Sequence, residues 1–355
     1  MKKYISKDGQ MVLPAGEITH VCIAPSIFPL VQYLLLVDLE VSRDHTYYFF
    51  NDVIPAFTRQ RLVCSCLPNR RDKSIKSAVM RRAEKLAVAL FKTLRYPFIK
   101  TAKIFAFDNP NTSLYIGNRP YSLLSDGPHC FSRCMQEQSV EYIQMCRKSK
   151  SFIGKLQRLI YGDVFVDYFG SNRWCEKIYL TEENASPILK NKTVDIRSLE
   201  QMWAQASDEK RNFILSLFGI SMADIDFLNS KPTVFFSQPI IEDIHLSTDE
   251  YADIIRRLFS HYDTSRLLIK THPRDHFPYR EYFPEVEVFD KSVNSQLLQV
   301  AGFLPKKIVT IYSSSVDTFP ESVECDYFGV EVHPDIVATL GPEFKPYRKV
   351  NKVAL

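Results

Sequence analysis

One short segment in the second half of the chain concentrates residues that bind anions. An apolar run ends in KTHPR, residues 270–274, and Pro273 ends the strand because its nitrogen has no hydrogen to donate. His272 therefore lies at a strand's carboxyl end, where its imidazole can donate to a phosphate or protonate a leaving phosphate oxygen. Lys270 and Arg274 add positive charge beside it. The segment predicts a phosphate-binding turn, and a basic surface turn is the alternative.

Three consecutive serines further along the chain offer a second contact for the same phosphate. Ser313, Ser314 and Ser315 stand at the junction of a β-rich run and a predicted helix. Hydroxyl groups and unpaired backbone N–H groups at a helix N-terminus bind phosphate. We expect these serines to do so here, and plain N-capping is the alternative.

The segment FFSQPIIED supplies carboxylates after another strand. Gln238 and Pro239 end the strand, and Glu242 and Asp243 follow within the next turn. A carboxylate beside a bound sugar can act as general base and take a proton from the attacking hydroxyl. We expect Gln238 and Pro239 to lie near a nucleotide; for the two acids, a solvated loop is the alternative.

A further acid lies in the first half of the chain. Asp126 stands in a Ser-Asp-Gly-Pro turn after an apolar run that we interpret as the last strand of the first domain. Asp126 would then approach the ligand from the opposite side. The alternative is an aspartate that only forms the turn.

Composition restricts the class of protein. The chain has 355 residues, of which 45% are hydrophobic and 24% charged, as in globular proteins. The net charge of +4 is too small to indicate a nucleic-acid partner. Residues 70–103 hold eleven Lys or Arg against two acids. This cluster predicts either a solvated helix face or attraction to an anionic membrane surface.

Cysteine usage and the amino terminus bear on location. The eight cysteines form no paired CxxC motifs, which favours free thiols in a reducing compartment. The first ten residues are polar, and the apolar run 23–37 is too interrupted to span a bilayer. We expect a cytoplasmic protein. Attachment to the inner face of the cytoplasmic membrane is the alternative.

Alternating strand and helix patterns surround these candidate residues. Strands are expected at 18–26, 45–50, 60–66, 102–108, 113–117, 231–239, 265–273 and 286–290, and 307–317 is expected to be a strand that enters a helix. The main helices are expected at 27–39, 76–94, 248–262 and 292–301. A mainly helical connector is expected from 131 to 229, interrupted by one strand-like run at 177–181. The pattern predicts an α/β protein of GT-B type, with two Rossmann-like domains at 1–200 and 220–355 facing a central cleft.

The order of these segments resembles the bacterial sialyltransferases, and above all the lipooligosaccharide sialyltransferases of glycosyltransferase family 52. The match rests on the Gln-Pro strand end with its acidic pair, on His272-Pro273, and on the run of serines. Two departures concern the base: Ile244 stands where many relatives have Gly, and Ser125 replaces the first acid before Asp126. We favour Asp243 as base, because it belongs to the better-matched segment, and keep Asp126 as the second candidate.

The resemblance implies an inverting transfer of sialic acid from CMP-sialic acid to a bacterial surface glycan, in lipooligosaccharide or capsule. It implies no metal, no cofactor, and a homodimer. His272 would be general acid or phosphate stabiliser, while Lys270, Ser313 and Ser314 would bind the CMP phosphate. A carboxylate would deprotonate the acceptor hydroxyl.

The sequence alone does not exclude other functions. A transferase that uses CMP-Kdo or a CDP-glycerol donor would need the same phosphate contacts. A non-catalytic protein that binds a nucleotide or glycan could keep the fold. Asp224 and Asp226 have the spacing of a metal-binding Asp-x-Asp motif, but this motif is frequent by chance and Asp224 lies near a helix end, so we do not expect a metal site there.

Overall fold

The computed structural model describes residues 4–5, 11–12, 17–67, 75–127, 139–184, 186–341 and 349–355. The chain divides into two compact units, Met1–Leu217 and Phe218–Leu355. The boundary between the two units, after residue 217, lies between the domain bounds 1–200 and 220–355 given by the sequence. Each unit is built on its own parallel sheet.

The first unit contains a seven-stranded sheet and a separate short antiparallel pair of strands. The strands are β1 (Tyr4–Ile5), β2 (Met11–Val12), β3 (His20–Ala24), β4 (Thr46–Phe50), β5 (Cys64–Cys66), β6 (Lys103–Ala106), β7 (Tyr121–Leu123), β8 (Cys175–Leu180) and β9 (Thr193–Ile196). The order in the sheet is β5-β4-β3-β6-β7-β8-β9, and every pairing in it is parallel.

Helices connect these strands, as parallel pairing requires. They are α1 (Ile27–Leu36), α2 (Leu39–Asp44), α3 (Ala56–Arg59), α4 (Ile75–Arg95), α5 (Ser113–Ile116), α6 (Val140–Lys150), α7 (Phe152–Tyr161), α8 (Leu199–Gln205) and α9 (Asp208–Leu217). Short 3-10 helices occupy Pro97–Lys100, Asp163–Phe165 and Pro187–Asn191. Strands β3 and β4 are buried along almost their whole length, as is typical of a parallel sheet with helices on both faces.

Two expectations for the first unit were wrong. The segment 113–117 is the helix α5, because the Asn109 side chain accepts from the backbone N–H groups of Asn111 and Thr112 and turns the chain before it. The region expected to be a mainly helical connector contributes two strands to the sheet: β8, which overlaps the strand-like run predicted at 177–181, and β9, which was not predicted. The strand before Asp126 is therefore not the last of its domain.

The second unit contains a six-stranded parallel sheet. Its strands are β10 (Thr233–Phe236), β11 (Leu267–Lys270), β12 (Glu287–Phe289), β13 (Lys307–Thr310), β14 (Glu324–Tyr327) and β15 (Asn351–Lys352). They are arranged in the order β12-β11-β10-β13-β14-β15. The chain thus runs outward from β10 in one direction and then, from β13, in the other, which makes β10 and β13 the switch point of the sheet.

The helices of this unit begin at capping residues that the sequence largely reveals. They are α10 (Met222–Asn229), α11 (Ile240–Ile244), α12 (Thr248–Phe259), α13 (Tyr279–Tyr282), α14 (Ser295–Val300) and α15 (Pro334–Leu340). Short 3-10 helices lie at Thr264–Arg266, Ser314–Thr318 and Val330–Val332. The cap of α12 is Ser247, which forms a capping box with Glu250; the expected cap, Thr248, is the first helical residue.

Strand register determines which loops of the second unit meet. Phe236, the last residue of β10, pairs with Lys270 on one side and with Thr310 on the other. All three strands are parallel and end at the same level. The loops that follow β10, β11 and β13 therefore emerge together at the carboxyl edge of the sheet, where open α/β sheets bind ligands.

Candidate active site

The carboxyl edge of the second sheet brings three predicted segments together. The Ser237 hydroxyl accepts from the backbone N–H of His272 at 2.9 Å, which joins the loops after β10 and β11. Thr310, at the end of β13, donates to the Phe236 carbonyl at 3.0 Å and accepts from the Ser313 backbone N–H at 3.1 Å. The Gln-Pro, His-Pro and serine segments are thus linked by short hydrogen bonds.

The His272 ring is held in one tautomer. Its Nδ1 accepts from the backbone N–H of Arg274 at 3.1 Å, so a neutral ring carries its proton on Nε2. Partial burial, together with the positive charges of Arg274 and Lys270, lowers the pKa of His272 to about 4. At neutral pH the imidazole is therefore an uncharged hydrogen-bond donor through Nε2.

A buried polar cluster, which the sequence did not reveal, supports this turn. The Ser237 hydroxyl donates to Asp275, and the same carboxylate accepts from the Tyr279 hydroxyl at 2.9 Å and from the Phe277 backbone at 3.0 Å. Burial raises the pKa of Asp275, against the effect of these hydrogen bonds. The only sequence signal was a serine directly after an apolar strand, which is common in turns.

The acidic pair after β10 packs against the same turn. Both terminal nitrogens of the Arg274 guanidinium donate to the Asp243 carboxylate, at 2.7 and 2.8 Å. Glu242 accepts from the His276 backbone N–H at 2.9 Å through Oε1. Its Oε2 is buried and has no hydrogen-bond partner among the residues that the structure describes. The acids thus hold the His-Pro turn in place, and Asp243 is already occupied by a cation.

Gln238 and Pro239 form the exit from β10. Pro239 is buried and caps α11, and the Gln238 carbonyl accepts from the Ile240 backbone N–H at 2.8 Å. The Gln238 residue is half-buried at the carboxyl edge, two residues beyond the end of the strand. Both residues lie at the expected edge, and their contact with a nucleotide stays a prediction.

Lys270 lies inside the unit. The residue is only 3% exposed, and its ammonium donates to the Thr271 carbonyl at 2.6 Å. Burial lowers the pKa of Lys270 to about 8, while the nearby Asp275 and Asp290 oppose this decrease. A buried ammonium in this position suits a supply of positive charge to the turn better than a direct contact with a phosphate.

The serine segment forms a short 3-10 helix where a longer helix was expected. Ser313 is buried and caps Ser314–Thr318, with its hydroxyl oxygen accepting from the Ser315 backbone N–H at 3.2 Å. Ser315 is half-buried. The side chain of Ser314 lies outside the described residues. Capping, the simpler interpretation, is therefore present, and phosphate binding stays a prediction.

A cavity of about 470 Å³ opens beside the His-Pro turn. Residues on the turn, on α13 and after β12 line it: Thr271, His272, Pro273, Asp275, His276, Phe277, Pro278, Tyr279, Arg280, Glu281, Val288, Asp290 and Ser292. Asp290 follows the carboxyl end of β12 and accepts from Arg280 at 2.6 Å. An acid in this position of a nucleotide-binding unit suits ribose hydroxyls, and sequence reasoning had missed it.

In the first unit, Asp126 follows the carboxyl end of β7. Ser26, which follows β3, donates its hydroxyl proton to this carboxylate. Burial raises the pKa of Asp126 to about 6, although the hydrogen bond from Ser26 acts in the opposite direction. A carboxylate with such a pKa is mostly ionised at neutral pH and remains basic enough to accept a proton.

Another acid lies at the same edge of that sheet. Asp108, after β6, is fully buried and accepts from the Tyr121 hydroxyl and from the Gly170 backbone N–H at 3.0 Å. Burial raises the pKa of Asp108 to about 6. Because Asp108 bonds to Tyr121, whose hydroxyl in turn accepts from Asn172 at 2.8 Å, we interpret Asp108 as support for the loops next to Asp126.

Comparison with known families identifies the chain. The profile of Glycosyltransferase family 52 matches residues 113–335, well over half of the sequence. The chain belongs to glycosyltransferase family 52. The matched range contains Asp126, the acidic pair, the His-Pro turn and the serines. The resemblance inferred from these segments is confirmed.

One curated relative matches part of the chain, and its name states no activity. An uncharacterized protein of Haemophilus influenzae is 32% identical over 174 residues, which cover 49% of this chain and 56% of that protein. The chain thus spans little more than half the length of the curated relative it matches.

Solved structures share the fold of this family 52 member. An α/β-galactoside α-2,3-sialyltransferase of Photobacterium phosphoreum has a TM-score of 0.54 at 12% identity, covering 91% of this chain and 94% of that chain. The GT-B domain of a Photobacterium damselae sialyltransferase gives 0.52 at 13% identity, covering 91% and 97%. The predicted α/β fold of GT-B type is confirmed, and the family to which the chain belongs is one of glycosyltransferases.

A third solved structure was determined with ligands. A 2,6-sialyltransferase of a Photobacterium species, in a ternary complex with the donor product CMP and the acceptor lactose, has a TM-score of 0.56 at 10% identity. The aligned region covers 90% of this chain and 74% of that one.

The Asp-x-Asp motif of this family member has a structural role. Asp224 completes a capping box with Ser221 at the start of α10 and pairs with Lys291 at 2.7 Å. Within the described ranges, no group of three or more His, Cys, Asp or Glu side chains could hold a metal ion. The first aspartate of the motif is thus used by helix capping and an ion pair.

Proposed function

We propose that this family 52 protein transfers sialic acid from CMP-sialic acid to a glycan acceptor with inversion at the anomeric carbon. The observation that carries the proposal is the set of linked turns at the carboxyl ends of β10, β11 and β13, with a neutral His272 among them. Such an edge suits a ligand with one phosphate, and a CMP-sugar has one.

The donor is inferred from chemistry and from fold. The solved 2,6-sialyltransferase that shares this fold holds CMP as its donor product. In this chain, we propose that His272 and the serine segment contact the phosphate, and that Asp290 binds the ribose hydroxyls. Arg274 and the buried Lys270 contribute positive charge beneath the phosphate.

His272 acts on the leaving group. The neutral ring donates through Nε2 to a phosphate oxygen, and the negative charge of the bound phosphate raises the pKa of the imidazole. As the bond between the anomeric carbon and the phosphate oxygen breaks, fixed donors stabilise the charge that develops on the phosphate. The imidazole is then suited to hydrogen-bond or protonate the departing CMP.

We assign the general base to Asp126 ahead of Asp243. Burial raises the pKa of Asp126 to about 6, so its carboxylate is mostly ionised at neutral pH and is a stronger base than an exposed one. Asp243 has both oxygens engaged by Arg274, so it would have to give up an ion-pair hydrogen bond before it could accept a proton. The base takes the acceptor hydroxyl proton while that oxygen forms the new bond to the anomeric carbon.

The identity of the acceptor and the place where it is modified are also proposals. The resemblance to lipooligosaccharide sialyltransferases favours a bacterial surface glycan, in lipooligosaccharide or capsule, made on the cytoplasmic side of the membrane. The homodimer and the independence from metals and cofactors stay predictions. Activity that survives excess EDTA would support the latter.

The decisive experiment compares donors. Calorimetry with CMP, CDP, UMP and UDP should give the tightest binding for CMP, and CMP-sialic acid should yield a sialylated product with a galactose-terminated acceptor. Transfer from CMP-Kdo or a CDP-glycerol donor, without transfer from CMP-sialic acid, would move the enzyme to another donor class. Tighter binding of uridine nucleotides would contradict the proposal. If His272→Ala leaves CMP affinity and every transfer activity unchanged, the assignment of this site is wrong.

A further inference from the structure

A further cavity, of about 430 Å³, opens in the first unit, and no step of the proposed reaction uses it. Three segments supply most of its walls: α6, the loop at 167–171, and the 3-10 helix Pro187–Asn191. We call it the α6 cavity. Its volume lies within the range of about 300–1,000 Å³ that is usual for sites that bind small molecules.

The apolar side chains of the α6 cavity include an aromatic ring. Tyr142 and Met145 come from α6, one turn apart, and Pro187 and Ile188 come from the 3-10 helix. Tyr142 and Ile188 also pack against the core of the unit, which holds them in position. The C–H groups on one face of a sugar ring are apolar, and aromatic and aliphatic side chains remove such a face from water. This part of the lining therefore suits a sugar ring.

Polar side chains complete the lining of the α6 cavity. The Asp167 carboxylate pairs with Arg158 at 2.9 Å, and the same guanidinium donates to the Ser149 hydroxyl at 3.0 Å. One residue thus orients two of the oxygens that line the cavity. Asn191 is exposed, and its amide offers both a donor and an acceptor. Sugar hydroxyls both donate and accept, so a mixture of such groups is what they need.

The charges around the α6 cavity do not favour a phosphate as its ligand. Lys192 lines the cavity, but its ammonium donates to two backbone carbonyls, at 2.6 and 3.2 Å. The positive charge of Arg158 is paired with Asp167. Lys150, the other lysine of the lining, is exposed to solvent. A neutral or weakly acidic sugar fits these charges, whereas a phosphate needs charged donors that are not already paired.

Hydrogen bonds connect the α6 cavity to the strand that leads to the proposed base. Ser171, which lines the cavity, follows Gly170, whose backbone N–H donates to Asp108 at 3.0 Å. Asp108 also accepts from the hydroxyl of Tyr121, the first residue of β7, and β7 leads to Asp126. The cavity therefore belongs to the same unit as the proposed base and depends on the same loops.

We propose that the α6 cavity binds a sugar residue of the acceptor glycan other than the one that receives sialic acid. This inference rests on the proposed transfer to a glycan and gives that reaction a preference for extended acceptors. A glycan long enough to reach the cavity gains contacts that a disaccharide lacks. Because these contacts are remote from the reacting atoms, they lower the KM of the longer acceptor.

Alkylation of one thiol measures occupancy of the cavity without any donor. Cys146 is a free, half-buried cysteine that lines the α6 cavity, and Cys66 is an exposed cysteine on β5 outside it. The full chain is labelled with iodoacetamide, with a galactose-terminated tetrasaccharide as probe, and peptide mass spectrometry follows both thiols. Saturating tetrasaccharide should slow the labelling of Cys146 roughly tenfold or more, because only an empty cavity admits the reagent. The labelling rate of Cys66 should not change.

A matched pair of variants tests the same cavity by kinetics. Asn191→Ala removes an exposed amide of the lining, and Lys190→Ala removes an exposed side chain next to it that does not line the cavity. With lactose as the short acceptor, Asn191→Ala should raise the ratio of the KM for the tetrasaccharide to the KM for lactose roughly fivefold, the effect of one lost hydrogen bond. Lys190→Ala should keep the wild-type ratio. An unchanged ratio in Asn191→Ala would contradict the proposal.

The outcomes separate the α6 cavity from the transfer reaction. Transfer of sialic acid to lactose, without protection of Cys146 by the tetrasaccharide, would overturn the glycan site and leave the proposed reaction intact. Protection of Cys146 by CMP in place of the tetrasaccharide would also overturn it. Protection by the tetrasaccharide, without transfer from CMP-sialic acid, would support the glycan site and contradict the proposed donor.

Discussion

Arg274 connects the predicted acid to the predicted histidine. Its side chain donates to both Asp243 oxygens, at 2.7 and 2.8 Å, while its backbone N–H donates to His272 Nδ1 at 3.1 Å. The ion pair is about half exposed, which limits its contribution to stability. Its geometric effect is larger, because one residue orients the imidazole and occupies the carboxylate. Sequence reasoning had treated these three residues as independent contributors to the site.

The assignment of the base leads to a direct comparison of two variants. Asp126→Asn should lower kcat by about 10²–10⁴-fold with little change in the KM for the donor, because it removes the proton acceptor. Asp243→Asn should mainly raise the KM for the donor, because it loosens Arg274 and the turn. Steady-state kinetics of both variants distinguishes between the two candidates for the general base. A wild-type kcat for Asp126→Asn, with the loss found in Asp243→Asn, would restore the assignment that the sequence favoured.

The desolvation of Asp126 also makes stability depend on pH. Burial raises the pKa of Asp126 from 3.8 to about 6, so the folded chain binds its proton more tightly than the unfolded chain. This contribution to the free energy of unfolding is fully present below pH 3.8 and is lost as pH rises through 6, by at most about 3 kcal/mol. Urea unfolding at pH 4 and pH 7 should show a smaller loss in Asp126→Asn than in wild type. Asp108, unchanged in that variant, serves as internal reference; equal losses would mean that Asp126 is not desolvated.

The His272 titration reports on the phosphate site. The pKa of about 4 in the ligand-free protein reflects burial first, then Arg274 and Lys270. A bound phosphate supplies negative charge and should raise the pKa of His272 towards neutrality. Imidazole NMR titrations with and without CMP measure this change. An unaltered pKa on saturation with CMP would place the phosphate away from the ring.

Ser237 is predicted to be a positioning residue. Ser237→Ala removes the acceptor for the His272 N–H and a donor to the buried Asp275, and should destabilise the fold by about 1–3 kcal/mol. It should lower kcat more than it changes the KM for the donor, because the His272 turn shifts. Ser216→Ala is the control: that hydroxyl is exposed and bonds within its own helix, so stability should change by less than about 0.5 kcal/mol. Steady-state kinetics and urea unfolding of both variants test this prediction, and a wild-type kcat for Ser237→Ala would contradict a positioning role.

Local pattern in the sequence was sufficient for the elements and for the candidate edge. Apolar runs that end in Pro or Ser mark the carboxyl ends of β10, β11 and β13, because proline and serine interrupt strands through their own covalent structure. The order of these segments was specific enough to indicate the family. The short α5 and the strand β9 were not predicted correctly, because runs of four or five residues of mixed polarity carry little periodicity.

Only the tertiary structure decided which groups meet and what their protonation is. Ser26 and Asp126 are 100 residues apart and Arg274 and Asp243 are 31 apart, and no local pattern specifies either pair. Strand register brings such groups together, and burial then raises the pKa of Asp126 and lowers that of His272. Residue type and order follow from the sequence, but desolvation and pairing depend on packing between distant segments, and these determine which acid can serve as base.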